Sequence, residues 1–185
     1  MRMSTDRKAE TRERILDSAM ALFREHGIDA VGVDAVMHRA GLTHGGFYAY
    51  FSSKEALVAE AAAASLARSA SRWELISEQG DEAAALQRIV DSYLDPAHVM
   101  AVDKGCVLAT LGPDVARRHA ARPAITASIR RMVDVLARCF HGRRRQRALA
   151  ALSSMVGAVV LARLSDDEVL SQELLSAART VAGLR

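Results

Sequence analysis

The sequence predicts an all-α fold, and three observations carry that prediction. Alanine, leucine and arginine dominate the 185 residues, and half the chain is hydrophobic although only 4% is aromatic, a composition that favours helix. No long stretch alternates Val, Ile, Thr and Tyr with polar residues in the way of a strand. Three prolines alone, Pro96, Pro113 and Pro123, interrupt a chain whose apolar residues recur at helical spacing between recognisable caps.

Taken in order, residues 1–8 are polar and are expected to fray. From about Ala9 to His26, Ile15, Leu16, Ala19, Leu22 and Phe23 fall on one helical face, and Gly27 is placed to end the helix in the left-handed conformation. A second helix is expected from Val33 to Arg39, with Val33, Val36, Met37 and Ala40 facing inward. Gly41 makes a tight turn and Thr43 caps a short third helix, His44 to Tyr50. Ser52 with Glu55 reads as a capping box for a helix from Lys54 to Ser77. Beyond it, Asp81 caps a helix to Leu94, and Asp95-Pro96 begins another. Gly105 to His119 is expected helical with a kink at Gly112-Pro113, and Pro123 opens a helix to Phe140. His141-Gly142 breaks the chain before a helix from Arg144 to Leu164. Ser165 with Glu168 caps a last helix to Ala182.

The layout divides the chain into a helix-turn-helix unit, residues 1–53, and a helical body, residues 54–185. The first 60 residues carry 8 Lys and Arg against 9 Asp and Glu, while residues 61–185 carry 17 against 13. Net charge therefore cannot supply phosphate binding in the N-terminal unit, and a few placed cations and amides must do so. Two cysteines, Cys106 and Cys139, are too few for a disulfide framework, and no apolar leader precedes the first helix. The longest uncharged run near the C-terminus, Ala148 to Ala162, has 15 residues, against about 20 for a bilayer span. A soluble cytoplasmic protein without membrane contact is expected. There is no nucleophile elbow, P-loop, dinucleotide fingerprint or metal-ligand spacing, so neither an enzyme, a cofactor nor a metal is expected. His44-Gly45-Gly46 only echoes an esterase oxyanion loop. A helical scaffold or enzyme without DNA binding is the alternative class.

Ala40-Gly41-Leu42-Thr43, Gly45, Phe47-Tyr48, Tyr50-Phe51 and Ser53-Lys54-Glu55 together resemble the signature of TetR/AcrR-type transcriptional regulators. The resemblance is dense over residues 10–60; the body is similar in helical plan and length. It implies an all-α homodimer whose heads read the major groove of an operator and whose body binds an inducer. Gly105-Cys106 with Leu111-Gly112 resembles a branch of the family that includes electrophile- and redox-responsive repressors. Three positions depart from the pattern: Gly32 stands where Ser or Thr often caps the second helix, Gly46 where Ser or Thr often follows the glycine, and Tyr50 where His often precedes the phenylalanine.

The candidate DNA contacts follow. Gly45 and Gly46 keep the third helix slim enough to enter a groove about 12 Å wide. Thr43 and His44 stand at its N-terminus, where amides and the helix dipole favour a phosphate, and His44 could instead read a base edge. Tyr48 offers a hydroxyl to a phosphate; by the resemblance it is the surest contact. Lys54 and Arg39 supply cations. Phe47 and Phe51 hold the helices together, and Tyr50 fits either packing or a phosphate contact.

In the body, Trp73, Ile89, Tyr93, Met100, Cys106, Val107, Leu111, Met132, Leu136 and Met155 are candidates for an effector pocket or plain core. With no buried acid–base pair in view, a small apolar or electrophilic effector is expected. Lys104 and a helix N-terminus beside Cys106 would favour a reactive thiolate, making it a sensor thiol; the alternative is a buried apolar residue. The basic run Arg143–Arg145 with Arg147 reads as a solvated loop and helix start. The last two helices are expected to pair across a two-fold axis, with Ala151, Gly157 and Ala158 allowing close approach; the penultimate helix could instead be the core of a monomer.

Overall fold

The structure is a computed structural model that describes residues 2–183. Its elements are helical throughout: α1 (Arg2–His26), α2 (Val33–Arg39), a 3₁₀ helix (His44–Ala49), α3 (Lys54–Ser77), α4 (Glu82–Tyr93), α5 (Pro96–Met100), α6 (Val107–Ala116), α7 (Arg122–Arg138), α8 (Arg144–Leu164) and α9 (Glu168–Val181). Two further single 3₁₀ turns lie at Val102–Lys104 and His119–Ala121.

Most boundaries match the sequence reading, and the differences have local causes. α1 starts at Arg2, not at Ala9; its first turns hold no helix breaker, and residues 6–10 are exposed, so no apolar period marks the helix there. α3 is capped by Ser53, whose hydroxyl accepts from Ala56 N–H at 3.1 Å, and not by Ser52. α9 is capped by Asp167, which accepts from Val169 and Leu170 N–H at 2.8 and 3.1 Å, and not by Ser165. α6 begins at Val107 with Cys106 at its N-cap and runs through Pro113. The third helix is a 3₁₀ helix without a side-chain cap from Thr43. Two adjacent glycines weaken α-helix there, and six residues suit the 3₁₀ form only as a short piece.

A single core cluster runs from Ile15 to Ala182. Around the N-terminal unit it is built from Ile15, Ala19, Phe23, Val36, Met37, Phe47 and Phe51, each 0–2% exposed. α3 is shared: Leu57, Val58 and Ala61 face this unit, while Leu66, Ala70 and Trp73 are buried further along the helix. α3 packs on both α1 and α7, and α7, α8 and α9 pack in sequence. α8 spans 21 residues with a mean hydropathy of 1.5 in its most apolar window, which is long and apolar enough to cross a membrane by length and composition. The 15-residue run alone understated it. Here the helix is packed, with Ala148, Ala151, Met155 and Val159 each at 0% exposure.

Candidate functional site

The turn between α2 and the 3₁₀ helix is set by Gly41. Its φ of +70° is the left-handed conformation that closes a helix: Leu42 N–H reaches Met37 C=O and Gly41 N–H reaches His38 C=O, both at 2.9 Å, the double bond pattern of a Schellman motif. Arg14 of α1 adds a bond to the Ala40 carbonyl at 2.5 Å. The 3₁₀ helix is thus presented at a fixed angle to α2.

On that presented element, Phe47 is 1% exposed and Phe51 2%, while Tyr48 between them is 70% exposed. Phe47 stacks on Phe51 at 5.8 Å and meets the Tyr48 ring edge-on at 5.3 Å. The two phenylalanines pack as expected and hold the tyrosine by its body with its hydroxyl outward. Thr43, His44 and Gly45 are exposed beside it, and Gly46 is half-buried. A Cβ at Gly45 would meet nothing within 4 Å, and one at Gly46 would meet only Met37 Cε at 3.7 Å. Neither glycine is required by the protein's own packing. Tyr50 is half-buried against the core, with Lys8 Nζ 5.9 Å from its ring centre.

The candidate contact groups already have partners. Arg39 donates to both Glu25 oxygens, at 3.0 and 3.2 Å. His44 Nδ1 is paired with the Asp34 carboxylate. Lys54 Nζ donates to the Asp29 carbonyl at 3.4 Å. These exposed pairs are each worth about 1 kcal/mol or less, so phosphates can displace them. They show how a unit of balanced charge keeps its cations placed. Lys8, missed in the sequence, joins this surface because α1 extends past Ala9.

The candidate effector residues do not converge on one pocket. Trp73, Tyr93 and Cys106 share a cavity of about 80 Å³ with Arg72, His98 and Lys104. Val107 lines a separate apolar cavity of about 280 Å³ between α6 and α7, with Val115, Ile125 and Ile129. Met100, 82% exposed, lines an open groove beside α9. Ile89, Leu111, Met132, Leu136 and Met155 are 0–2% exposed; they are core, because the helices close over them. Cys106 is 6% exposed and Cys139 7%, and burial pushes the Cys139 thiol up.

Around the small cavity lies a polar cluster that the sequence did not announce. His98 Nδ1 bonds the Tyr93 carbonyl at 2.6 Å, and its Nε2 accepts from Cys106 N–H at 3.1 Å. That places the proton on Nδ1, and burial lowers the His98 pKa, consistent with a neutral ring. Arg163 of α8 donates to the carbonyls of Val99 and His98, both at 3.0 Å, and to Thr110 Oγ1 at 2.8 Å. Arg24, in the last turn of α1, donates to Ser65 Oγ at 2.5 Å and to the Asp103 carbonyl at 3.3 Å. Arg118, before α7, pairs with Asp29 at 2.5 Å and lies 3.4 Å from the Glu55 carboxylate. Arg24 and Arg118 therefore tie residues before Ser53 to residues of the body at two places.

The far side of α8 and α9 is apolar and open. Leu161, Leu164, Val169 and Val181 are 51–78% exposed, around a groove lined by Gly157, Ala158, Leu174 and Ala177. Ala151 is not on this face; it is fully buried within the chain.

Residues 15–61 match the family described as bacterial regulatory proteins, tetR family. The HTH-type transcriptional repressor KstR of Rhodococcus jostii (strain RHA1) is 40% identical over 70 residues, 38% of this chain and 33% of that protein. The uncharacterized HTH-type transcriptional regulator YvdT of Bacillus subtilis (strain 168) is 41% identical over 46 residues, 25% of this chain and 24% of that protein. The chain thus aligns with a quarter to a third of these relatives' length. Over nearly its whole length it shares its fold with solved structures. The reduced form of Escherichia coli NemR superposes with a TM-score of 0.76 at 21% identity, covering 92% of this chain and 96% of that one. A TetR-family regulator from Cytophaga hutchinsonii superposes at 0.79 with 18% identity, covering 97% and 96%.

Proposed function

We propose that this chain, whose residues 15–61 match the tetR family of bacterial regulatory proteins, is a homodimeric, cytoplasmic repressor that binds operator DNA through residues 1–53 and is released by a small effector bound in residues 54–185. The observation that carries the reading is the exposed Tyr48, 70% accessible on a 3₁₀ helix whose flanking phenylalanines are buried. A large aromatic held open at a fixed turn serves packing poorly and a phosphate well. Thr43, His44, Gly45 and Gly46 would approach the groove, with Lys54, Arg39 and Tyr50 towards the backbone.

The apolar face of α8 and α9 supports the dimer. Pairing it across a two-fold axis would cover Leu161, Leu164 and Val181 and set two heads at the separation of successive major grooves, roughly 34–36 Å. An apolar effector would find room in the cavity of about 280 Å³ between α6 and α7. A second reading uses Cys106, because it lines the small cavity: addition of an electrophile there would force apart a space of about 80 Å³. A Cys106→Ser protein released from DNA by an electrophile as readily as wild type would exclude this use of the thiol.

The test is a mobility shift on DNA upstream of the protein's own gene. Binding should fall steeply with salt and be lost in a Tyr48→Ala, Lys54→Ala protein. Undiminished binding by that double variant would reject the assigned contacts, and no binding by wild type would reject the regulator reading.

A further inference from the structure

We propose that the small cavity beside Cys106 is a site for a short-chain carboxylate, gripped by Tyr93 and Lys104 and reported to the N-terminal helices through Arg24. The proposal rests on the regulator reading for its consequence, not for the site itself.

The cavity contains a poorly answered donor. Tyr93 is 6% exposed, lines the cavity, and among the described residues its hydroxyl has no nitrogen or oxygen partner, only the Cys106 thiol beside it, a weak acceptor. A buried hydroxyl in that state favours any ligand that can accept from it. His98, whose ring lies 4.9 Å from that of Tyr93, cannot answer it, because both its nitrogens are used.

The cavity is also short of negative charge. Arg72 and Lys104 line it and, among the described residues, no carboxylate does. Behind it, Arg24 and Arg163 are half-buried and donate only to neutral oxygens; burial lowers the pKa of both. Asp95 and Asp103 lie on the same segment, but neither lines the space. Arg72 and Lys104 are themselves exposed, and Arg24 and Arg163 do not line the space; together the four give it a positive potential that suits a small anion. The Trp73 face and Cys106 offer apolar surface for a short tail, and about 80 Å³ limits the ligand to a few heavy atoms.

The same segment is gripped from both ends of the molecule. Arg163 of α8 holds its start, at the carbonyls of His98 and Val99, and lies where a Cβ on Gly105 would be. Arg24 of α1 holds the Asp103 carbonyl, one residue before Lys104. A ligand that draws Lys104 inward moves the carbonyl that Arg24 grips, and α1 is the helix on which α2 rests.

Trp73 is the only tryptophan, so its fluorescence reports the site without DNA. Titration of the full chain with propionate at constant ionic strength should give a saturable change. Propionamide and chloride should give none. Tyr93→Phe, which keeps the ring, and Lys104→Ala should each weaken propionate by about tenfold or more. An equal response to propionamide, or unchanged affinity in Tyr93→Phe, would overturn the site. Propionate should also weaken DNA binding by the wild type but not by Arg24→Gln; fluorescence binding without any change in DNA affinity would overturn the Arg24 route. Failure of the protein to bind DNA at all would sink the regulator reading and leave the fluorescence arm to decide the site.

Discussion

Arg39 donates both terminal nitrogens to the Glu25 carboxylate, at 3.0 and 3.2 Å, so the arginine proposed to meet a phosphate already has an anion of its own. The pair crosses from α1 to α2 and is partly exposed, 42% for the arginine side chain and 29% for the glutamate. Glu25→Gln should therefore cost little stability, under about 1 kcal/mol, while freeing Arg39 and removing a charge that DNA would meet. The expected outcome is several-fold tighter DNA binding with a salt slope steeper by about one ion. Unchanged affinity and slope would show that Arg39 does not reach the backbone.

Gly41 and Gly46 should behave oppositely. Gly41 sits at φ +70°, so Gly41→Ala should destabilise the fold by about 1–2 kcal/mol in urea denaturation. At Gly46 a Cβ meets only Met37 Cε at 3.7 Å, so Gly46→Ser should fold as stably as wild type. Any change in its DNA affinity then belongs to the interface. Loss of stability in Gly46→Ser would mean that the glycine serves the 3₁₀ turn itself.

The neutral His98 predicts a pH dependence. Burial sets its folded pKa below the ordinary 6.5. The unfolded chain then binds the proton first, so this contribution to stability is full above about pH 6.5 and is lost as pH falls from there through the lowered value. Thermal melts of wild type between pH 7 and about 5 should fall more steeply than those of His98→Gln. Parallel curves would contradict the neutral bridge between Tyr93 and Cys106.

Gly105→Ala should dislodge Arg163. The added Cβ would collide with that guanidinium and approach the Ala101 carbonyl at 3.2 Å. The loss of bonds to Val99 and His98 should lower stability by about 1–3 kcal/mol, and Arg163→Ala combined with Gly105→Ala should cost less than the sum. Additive losses would place the two effects apart.

Leu161→Glu should convert a dimer to a monomer in light scattering, since Leu161 is 51% exposed on the open apolar face of α8. A wild type already monomeric at micromolar concentration would remove the proposed pairing.

Sequence patterns resolved some of this and missed the rest for physical reasons. α2 and α8 were legible to the residue because glycines in the left-handed conformation flank them, at Gly41 and Gly142. The caps of α3 and α9 were misplaced by one or two residues, since neighbouring Ser and Asp oxygens compete and only the backbone angles decide. Phe47, Phe51 and Tyr48 separated correctly into buried and exposed because a signature of known spacing stood behind them. The polar cluster around Tyr93 was not legible: Arg24 meets Asp103 across 79 positions and Arg163 meets His98 across 65, and no periodicity encodes such pairs. For the same reason the sequence pointed to an apolar or electrophilic effector, while the cations gathered at the small cavity favour an anion there.

DNA binding is proposed to rest on the exposed face of the 3₁₀ helix. It is tested most directly by fluorescence anisotropy of labelled DNA from upstream of the protein's own gene, comparing wild type with Tyr48→Ala, Lys54→Ala. Salt-sensitive binding by wild type is expected, with at least about a hundredfold loss in the double variant, from two phosphate contacts of about 1.4 kcal/mol each. Equal binding by the two proteins would contradict it.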